Sequence, residues 1–140
     1  MSKSSIFLLI AIIALCYAHY YYRLPGPCEI NPTLDKIRQD LIKVEPKAAN
    51  LQYYPSHESY TEDKEKIFLC MKDPNTGKEY DYNTLLLVML HEIAHAFSPV
   101  VDKEHKTPEF NGMHNYYRKK ASDMGLVNLN KEVEPTYCKH

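Results

Sequence analysis

The sequence predicts a single small α+β domain with a short, mostly antiparallel sheet packed on a central helix, preceded by a hydrophobic N-terminal helix. The chain has 140 residues, 44% apolar and 25% charged, which suits one globular domain and excludes collagen-like, low-complexity and wholly disordered chains. Helix-like and strand-like patterns follow one another along the chain, and no internal repeat is visible. An uninterrupted apolar stretch stands ahead of these patterns.

The apolar stretch covers residues 6–18 and contains no charge, no proline and no glycine. With His19 and the tyrosines at 20–22 it reaches the lower limit of about 17 residues for crossing a bilayer. A retained signal anchor would place these tyrosines at the lipid–water boundary, where such rings are favoured. The alternative is a cleaved signal peptide, because Lys3 provides a basic start and residues 16–18 resemble a cleavage site.

This stretch sets our expectations for domains and location. We expect residues 1–24 to form the signal anchor, or the signal peptide, and residues 25–140 to form the domain. A retained anchor predicts a single-pass membrane protein, whereas cleavage predicts a secreted one. The topology stays open, because Lys3 on one side and Arg23 on the other nearly balance the basic charge.

Four cysteines, Cys16, Cys28, Cys70 and Cys138, contain no CxxC zinc pair. In an oxidising compartment Cys28 and Cys138 could join the two ends of the domain, although the odd number past the anchor also permits no bridge. Cys70 lies in an apolar run, and we expect it to be a buried thiol.

The first half of the domain is predicted to contain one helix and two strands. The helix begins after Thr33 as its cap and stops at Pro46. Alternation over residues 49–53 indicates a half-buried strand, the polar residues 57–65 indicate a loop, and residues 67–71 are a compact strand signal. The apolar face of the helix comprises Leu34, Ile37, Leu41 and Ile42.

The second half is predicted to contain a turn and two helices. Residues 73–77 are rich in turn formers, and Asn83 or Thr84 caps a helix that runs to about Phe97. Thr107 caps the second helix, with Pro108 in its first position and Gly125 at its end. The predicted buried face of this helix comprises Phe110, Met113, Tyr117, Ala121 and Met124.

The chemistry is concentrated in the first of these two helices, where His91, Glu92 and His95 form an HExxH motif. Residues four apart lie on one face of a helix, so both imidazoles can reach the same metal ion. Glu92 projects about 100° around the axis from His91, beside the metal rather than as a ligand. The surrounding helix is apolar nearly all round, so these polar groups would be costly to bury unless paired or metal-bound.

Catalytic zinc has three protein ligands and an open position. His105, Glu109 and His114 are the candidates for the third ligand. We favour His105, because the segment before it is long enough to fold back, with His114 as the main competitor. Glu109 is explained by its place in the first turn of a helix. The remaining histidines lack metal-like spacing and are expected to be solvated: His19, His57 and His140.

These residues resemble the SprT/WLM-type minimal zinc metallopeptidases, a group of HExxH zincins, over residues 60–117. In those families a third histidine follows in a short element that opens the next helix, and residues 105–110 are similar to that element. Two residues separate His105 from the following proline, one more than is common. Residues 67–71, the turn at residues 73–77 and residues 82–85 also resemble small, uncharacterised, membrane-anchored proteins of large DNA viruses that are regarded as metallopeptidases.

We therefore predict a membrane-anchored zinc endopeptidase with a zincin-like domain. Zn²⁺ would be held by His91, His95 and His105, and Glu92 would be the general base acting on a zinc-activated water. The alternative is a non-catalytic, membrane-anchored zinc-binding interaction protein with His114 as a fourth ligand, because structural zinc usually has four protein ligands.

The expected partners are a protein or peptide substrate and, through the N-terminal helix, a membrane; we expect a monomer. SprT-type relatives cleave DNA-bound proteins, but a formal charge of −1 and the lack of a basic extension predict no nucleic-acid partner here. Residues 67–71 could bind an extended substrate at a sheet edge, or could be an ordinary core strand. Tyr116, Tyr117 and His114 are candidate donors to the oxyanion, with core packing the alternative for Tyr117.

Overall fold

The computed structural model describes residues 5–6, 10–14 and 31–138. The chain divides into two compact units, Met1–Ile30 and Asn31–His140. The predicted signal anchor lies largely outside the described residues, of which 5–6 and 10–14 are helical. Within the described parts of the chain, no helix combines the length and the apolar character needed to cross a membrane.

The second unit has a mixed α+β architecture, which confirms the predicted class at that level. Three α-helices, one short 3-10 helix and three strands are described in it. Their order is α1 (Pro32–Val44), the 3-10 helix (Pro46–Asn50), β1 (Gln52–Ser56), β2 (Tyr60–Glu62), β3 (Lys66–Cys70), α2 (Tyr82–Phe97) and α3 (Pro108–Asp123).

The sheet has the strand order β1–β3–β2, with β3 parallel to β1 and antiparallel to β2. The prediction of a mostly antiparallel sheet is therefore wrong. β2 and β3 form a hairpin through Asp63 and Lys64, both in the left-handed conformation with φ of 51° and 60°. In this hairpin β2 occupies one edge of β3, and β1 pairs with the other edge. Because β1 runs opposite to β2, it is parallel to β3.

Two local predictions in this region are also corrected. The residues 57–65 that we expected to be a loop contain β2, whose three residues are too few and too polar to produce a strand pattern. The predicted strand over residues 49–53 begins only at Gln52, because Pro46 starts a 3-10 turn that includes Ala49. The strand expected at residues 67–71 is confirmed as β3, one residue earlier.

Helix α2 is the centre of the unit, as predicted. It packs against α1, α3, β2 and β3. Burial is nearly continuous along its length, which explains why its sequence is apolar on every side. The fully buried side chains around and within it include Ile37, Leu41, Ile67, Leu69, Leu85, Leu86, Met89, Leu90, Ile93 and Phe110.

The helix caps follow the sequence in part. Thr107 caps α3 as predicted, and Gly125 follows its end with φ of 72°. Asn31 rather than Thr33 caps α1, and Asp81 rather than Asn83 or Thr84 caps α2. In both corrected cases the cap lies earlier than predicted, and its side-chain oxygen accepts from backbone N–H groups two or three residues later.

Most of the predicted helix faces are buried. Leu34, Ile37 and Leu41 of α1 are in the core, as are Phe110, Tyr117 and Ala121 of α3, while Ile42 and Met113 are partly buried. Met124 is 44% exposed, so its assignment to the buried face of α3 is wrong. The helix ends at Asp123, and Met124 is its C-cap, outside the periodicity that places side chains in the core.

A disulfide joins Cys70, at the end of β3, to Cys138 in the C-terminal tail. Our expectation of a free buried thiol at Cys70 is wrong, and the bridge considered between Cys28 and Cys138 is replaced by this one; Cys28 lies outside the described residues. Tyr137 positions the tail next to the two cysteines. Its hydroxyl donates to the Cys70 carbonyl at 3.0 Å and pairs with the Ser59 hydroxyl at 2.5 Å.

Candidate metal site

Helix α2 presents His91 and His95 on one face, one turn apart. Both side chains are half-buried, and their ring centroids are 4.8 Å apart in an edge-to-face arrangement. The Nε2 atoms of the two rings approach to 3.2 Å. The spacing of the HExxH motif thus directs two ring nitrogens to one point, as the helical geometry predicts.

The loop between α2 and α3 brings a third histidine to the same point. The Nε2 atom of His105 lies 3.0 Å from that of His95. His105 has φ of 57°, a left-handed conformation that turns its ring back toward α2. Its carbonyl accepts a hydrogen bond from the Asn111 side-chain amide at 3.0 Å, which holds the loop against the first turn of α3.

The loop is fixed from within by Asp102. One oxygen of this carboxylate accepts from the Thr107 backbone N–H and from the Thr107 hydroxyl, both at 2.7 Å. The other oxygen accepts from the Glu104 N–H at 3.2 Å. These hydrogen bonds, that from the Thr107 N–H above all, lower the pKa of Asp102 to about 2 although burial opposes this. Asp102 is therefore charged at neutral pH and closes the segment that carries His105.

The three imidazoles suit a zinc ion in number, type and spacing. One nitrogen from each of His91, His95 and His105 lies within 4.8 Å of the others. Two ligands bound tetrahedrally to zinc at about 2.0–2.1 Å are roughly 3.3 Å apart, close to the 3.2 Å between His91 and His95 and the 3.0 Å between His95 and His105. Burial, with the neighbouring His105, lowers the pKa of His95 to about 4, so its ring is neutral and keeps a lone pair for a metal.

The competing candidates for the third ligand lie elsewhere. His114 packs edge-on against His91, with ring centroids 5.0 Å apart, but it does not belong to the three-histidine group found among the described residues. Burial, reinforced by the charge of Arg118, lowers the pKa of His114 to about 4. Glu109 is exposed in the first turn of α3. His57 is exposed as expected, whereas His19 and His140 lie outside the described residues.

Phe110 forms the floor beneath the histidines. Its ring is fully buried and stacks on His95 with centroids 4.3 Å apart. It also contacts the rings of His91 and His105, each with a centroid separation of 5.2 Å. The sequence predicted Phe110 as a core residue; its contact with all three rings adds a role in orienting them.

Glu92 lines the same cleft as the histidines and does not belong to the three-histidine group found among the described residues. Its side chain is only 4% exposed, and its Oε2 accepts a hydrogen bond from the Thr61 hydroxyl at 2.8 Å. Burial raises the pKa of Glu92 to about 7, with the Thr61 hydrogen bond acting in the opposite direction. A carboxyl group with this pKa can both accept and return a proton near neutral pH.

A cleft of about 520 Å³ opens directly onto these groups. Helix α2 contributes His91, Glu92 and His95 to it. Residues 59–61, 63 and 64 of the β2 region form one wall, and residues 100–103 and 105 of the following loop form the other. Lys64 links the two walls, because its ammonium group donates to the carbonyls of Ser98 and Val100. The cleft therefore leaves open space next to the candidate metal site.

The strand at the edge of the sheet beside the cleft is not the one that we predicted to bind substrate. β3 pairs on both sides, so strand addition to residues 67–71 is wrong, and its alternative, a core strand, holds. The edge strand on the cleft side is β2, which contributes Tyr60 and Thr61 to the lining. The tyrosines proposed as oxyanion donors do not line the cleft: Tyr117 is buried and donates to Glu45, and Tyr116 points to solvent.

Three residues of the site were not predicted from the sequence. Thr61, Lys64 and Asp102 reach the site from segments that read as polar loop, and none has a diagnostic spacing to the HExxH motif. Thr61 and Glu92 are 31 residues apart, and only the hairpin fold brings them together. Asp102 could have been suspected, since an acid five residues before a capping threonine can accept from its backbone N–H.

Similar proteins are known in large viruses. The chain is 36% identical over 92 residues to Uncharacterized protein 136R of Invertebrate iridescent virus 6, covering 64% of this chain and 50% of that protein. It is 35% identical over 89 residues to Uncharacterized protein 042R of Invertebrate iridescent virus 3, covering 64% of this chain and 54% of that protein. Uncharacterized protein R325 of Acanthamoeba polyphaga mimivirus is 34% identical over 83 residues, covering 57% and 41% of the two chains.

The chain thus spans about half the length of the curated relatives it matches. Their names assign no activity to them. No family model matches the chain. No solved structure matches it at a significant level.

Proposed function

We propose that this chain is a zinc-dependent endopeptidase of the minimal zincin type, similar to the SprT/WLM peptidases. The observation that carries the proposal is that His91, His95 and His105 converge at the wall of an open cleft that also contains Glu92. Three imidazole nitrogen ligands and an adjacent carboxyl group are the protein groups that hydrolysis by a metallopeptidase requires.

Each group in the cleft has a defined task in this proposal. Zn²⁺, when bound by the three histidines, supplies Lewis acidity, which polarises a carbonyl and makes water acidic enough to react near neutral pH. Glu92 accepts the proton of the attacking water and delivers it to the nitrogen of the departing amine. Phe110 and Asn111 keep the rings and the His105 loop in place, so that the ligands are oriented before the metal arrives.

The number of ligands favours catalysis over a purely structural zinc site. Within the described residues the group that could hold a metal has three members, and it borders the cleft. A structural zinc normally has four protein ligands and no access for water. The non-catalytic alternative would need His114 as the fourth ligand, and that ring packs against the flank of His91 and Phe110 instead.

The position of β2 suggests how a peptide substrate would bind. β2 is at the edge of the sheet and lines the cleft, so an extended peptide could pair with its free edge. Main-chain hydrogen bonds of this type hold a peptide in an extended form without demanding a particular sequence. We therefore extend the proposal to unfolded or extended segments of proteins as the substrate class.

We also propose that the apolar residues 6–18 tether the domain to a membrane. Mass spectrometry of the mature N-terminus tests this part separately. An intact N-terminus in the membrane fraction supports a retained anchor, whereas a mature chain that begins near His19 indicates a cleaved signal peptide and a secreted domain.

The decisive experiment measures zinc content and peptide cleavage by the purified 140-residue chain in detergent. We expect about one zinc per chain, cleavage of unstructured peptides, loss of cleavage with a chelator, and recovery on adding zinc. Glu92→Gln should bind zinc but lose activity by a factor of about 10³ or more. Glu109→Gln, at an exposed glutamate outside the cleft, is the matched control and should stay active.

Two outcomes would contradict the proposal. Cleavage that survives both the chelator and Glu92→Gln would exclude this mechanism. Binding of one zinc without cleavage of any peptide in a diverse library would instead support the zinc-binding interaction protein.

A further inference from the structure

The edge strand β2 holds the side chain that hydrogen bonds to the candidate general base. The Thr61 hydroxyl lies 2.8 Å from Glu92 Oε2 and 2.9 Å from the Glu92 backbone carbonyl. A hydroxyl carries a single proton, so it donates to one of these oxygens at a time. In the ionised form that acts as a base, donation to the carboxylate is the stronger of the two, because that acceptor is charged.

The register of the hairpin determines that Thr61 faces the helix. Thr61 pairs with Ile67, which is fully buried, so both side chains lie on the face of the sheet that packs against α2. Its neighbour Tyr60 pairs with Phe68, and their rings stack on the opposite face at 4.5 Å. A shift of β2 by one residue would turn Thr61 away from Glu92 and Tyr60 into the core.

The hairpin is also fixed at its turn. Lys64 donates to the carbonyls of Ser98 and Val100, directly after the end of α2. The same hairpin therefore contacts α2 beside Glu92 and beyond its last turn. Because Thr61 and Lys64 make separate contacts, they fix the position of β2 along the axis of α2.

We propose that Thr61 is a positioning residue for Glu92: it binds Oε2 and thereby presents Oε1 of the same carboxylate to the cleft for proton transfer. This inference rests on the proposed peptidase function. The position of Thr61 also connects substrate binding with the general base. A peptide paired with β2 would lie along the strand that carries Thr61, the residue that orients the Glu92 carboxylate.

Two substitutions of Thr61 distinguish the effect of its hydroxyl group from the effect of its side-chain volume. Thr61→Val keeps the shape of the side chain and removes the hydrogen bond, whereas Thr61→Ser keeps the hydroxyl. For Thr61→Val we expect kcat to fall roughly ten- to hundredfold, the loss expected for a hydrogen bond to a charged group. We expect KM to change by less than about threefold, because the bond acts on the base and not on the peptide.

Two further variants complete the comparison. Thr61→Ser should retain kcat within about threefold of the wild type, since it restores the donor. Thr76→Val makes the same substitution at an exposed turn outside the cleft and should leave kcat unchanged. All four chains should bind zinc equally, since Thr61 does not belong to the three-histidine group that could hold the metal. Should Thr61→Val fail to fold, Thr61→Ala removes the same donor.

A second measurement does not depend on activity. In metal-free chain labelled with ¹³C at glutamate carboxyl carbons, the Glu92 resonance is identified by its disappearance in Glu92→Gln. We expect this resonance to shift in Thr61→Val and to remain in place in Thr61→Ser and Thr76→Val.

The outcomes separate the two proposals. An active wild-type chain whose kcat is unchanged in Thr61→Val, or a Glu92 resonance that does not move, would overturn the positioning role alone. A wild-type chain that binds zinc but cleaves no peptide would overturn the peptidase proposal and, with it, the role of Thr61 in proton transfer. A loss in Thr61→Ser equal to that in Thr61→Val would show that packing rather than the hydroxyl matters, and would also overturn the role.

Discussion

The carboxylate of Asp102 accepts hydrogen bonds from both the backbone N–H and the hydroxyl of Thr107, each at 2.7 Å. Thr107 is also the N-cap of α3. The contact with Asp102 therefore fixes the end of the loop and the start of the helix together. His105 lies between these two residues in the chain. The position of the third candidate ligand therefore depends on a residue that does not itself belong to the three-histidine group.

Removing this carboxylate should weaken metal binding. We expect Asp102→Ala to lower the affinity for zinc by about ten- to hundredfold, the range seen when groups that orient a metal ligand are removed. Competition with a chromophoric chelator measures the affinity directly. Asp73→Ala is the matched control, since Asp73 also accepts a backbone N–H in a turn, at 2.8 Å, but lies outside the cleft. Equal affinities in the two variants would contradict the proposed role of the loop.

The choice between His105 and His114 can be tested by substitution. We expect His105→Ala to lower zinc affinity by at least about a hundredfold, because it removes a direct ligand. His114→Ala should retain the metal, with an effect mainly on stability, since this ring packs against Phe110 and His91.

Cobalt substitution adds a check on the number of ligands. The visible absorption of bound Co²⁺ should change in His105→Ala and stay close to the wild type in His114→Ala. The reverse pattern would make His114 the ligand, and a change in both variants would indicate a four-histidine site.

The sequence was sufficient to predict those parts of the site that one helix determines. His91, Glu92 and His95 lie in a single helix whose period fixes their relative positions, and their placement follows from spacing alone. His105 was predicted from its place in a loop, and the structure brings it to the other two rings. Thr61 was missed, because its contact with Glu92 depends on the pairing of β2 with β3 and leaves no periodic pattern in the sequence.

The fold shows the same division between local and long-range information. Pro108 after a threonine predicts the start of α3 correctly, because capping is decided within a few residues. The parallel pairing of β1 with β3 depends instead on which edge of β3 the hairpin leaves open. The pairing of Cys70 with Cys138 is likewise a property of the tertiary structure, since cysteine spacing alone allows several connectivities.

Because of Asp40, the free energy of unfolding of the domain should fall as the pH is lowered. Its side chain is 6% exposed and accepts from Lys36, Lys43 and the Tyr82 hydroxyl. Burial alone would raise the pKa of this carboxyl, but the hydrogen bonds from Lys43, Tyr82 and Lys36 outweigh it and lower the pKa from 3.8 to about 2. We expect Asp40→Asn to lower the free energy of unfolding at pH 7 by about 2 kcal/mol.

The sign of this effect follows from the lowered pKa. The folded chain binds the proton less readily than the unfolded chain, so the contribution is complete above about pH 5 and is lost as the pH falls toward 2. Urea unfolding of wild type and Asp40→Asn from pH 7 to pH 3 should show the difference shrinking to roughly half. Asp123→Asn, which breaks an exposed ion pair with Lys119, is the control and should cost less than about 0.5 kcal/mol. A difference that is constant with pH would refute this account.

The disulfide between Cys70 and Cys138 should stabilise the domain by restricting the unfolded chain. The two cysteines are 68 residues apart, and a cross-link over such a distance typically contributes about 2–4 kcal/mol. We expect Cys138→Ser to lower the free energy of unfolding of the oxidised chain by about this amount. Cys28→Ser should leave it unchanged, because Cys28 is not needed for the bridge.

Peptide mapping of the non-reduced, alkylated chain identifies the bridge independently of stability. It should yield a peptide pair containing Cys70 and Cys138, and urea unfolding under reducing conditions should bring the wild type to the stability of Cys138→Ser. The tail would then lose its covalent link to β3 and keep only the Tyr137 hydrogen bonds to Ser59 and the Cys70 carbonyl. A pair containing Cys28 and Cys138, together with a destabilised Cys28→Ser, would instead support the bridge between the ends of the domain.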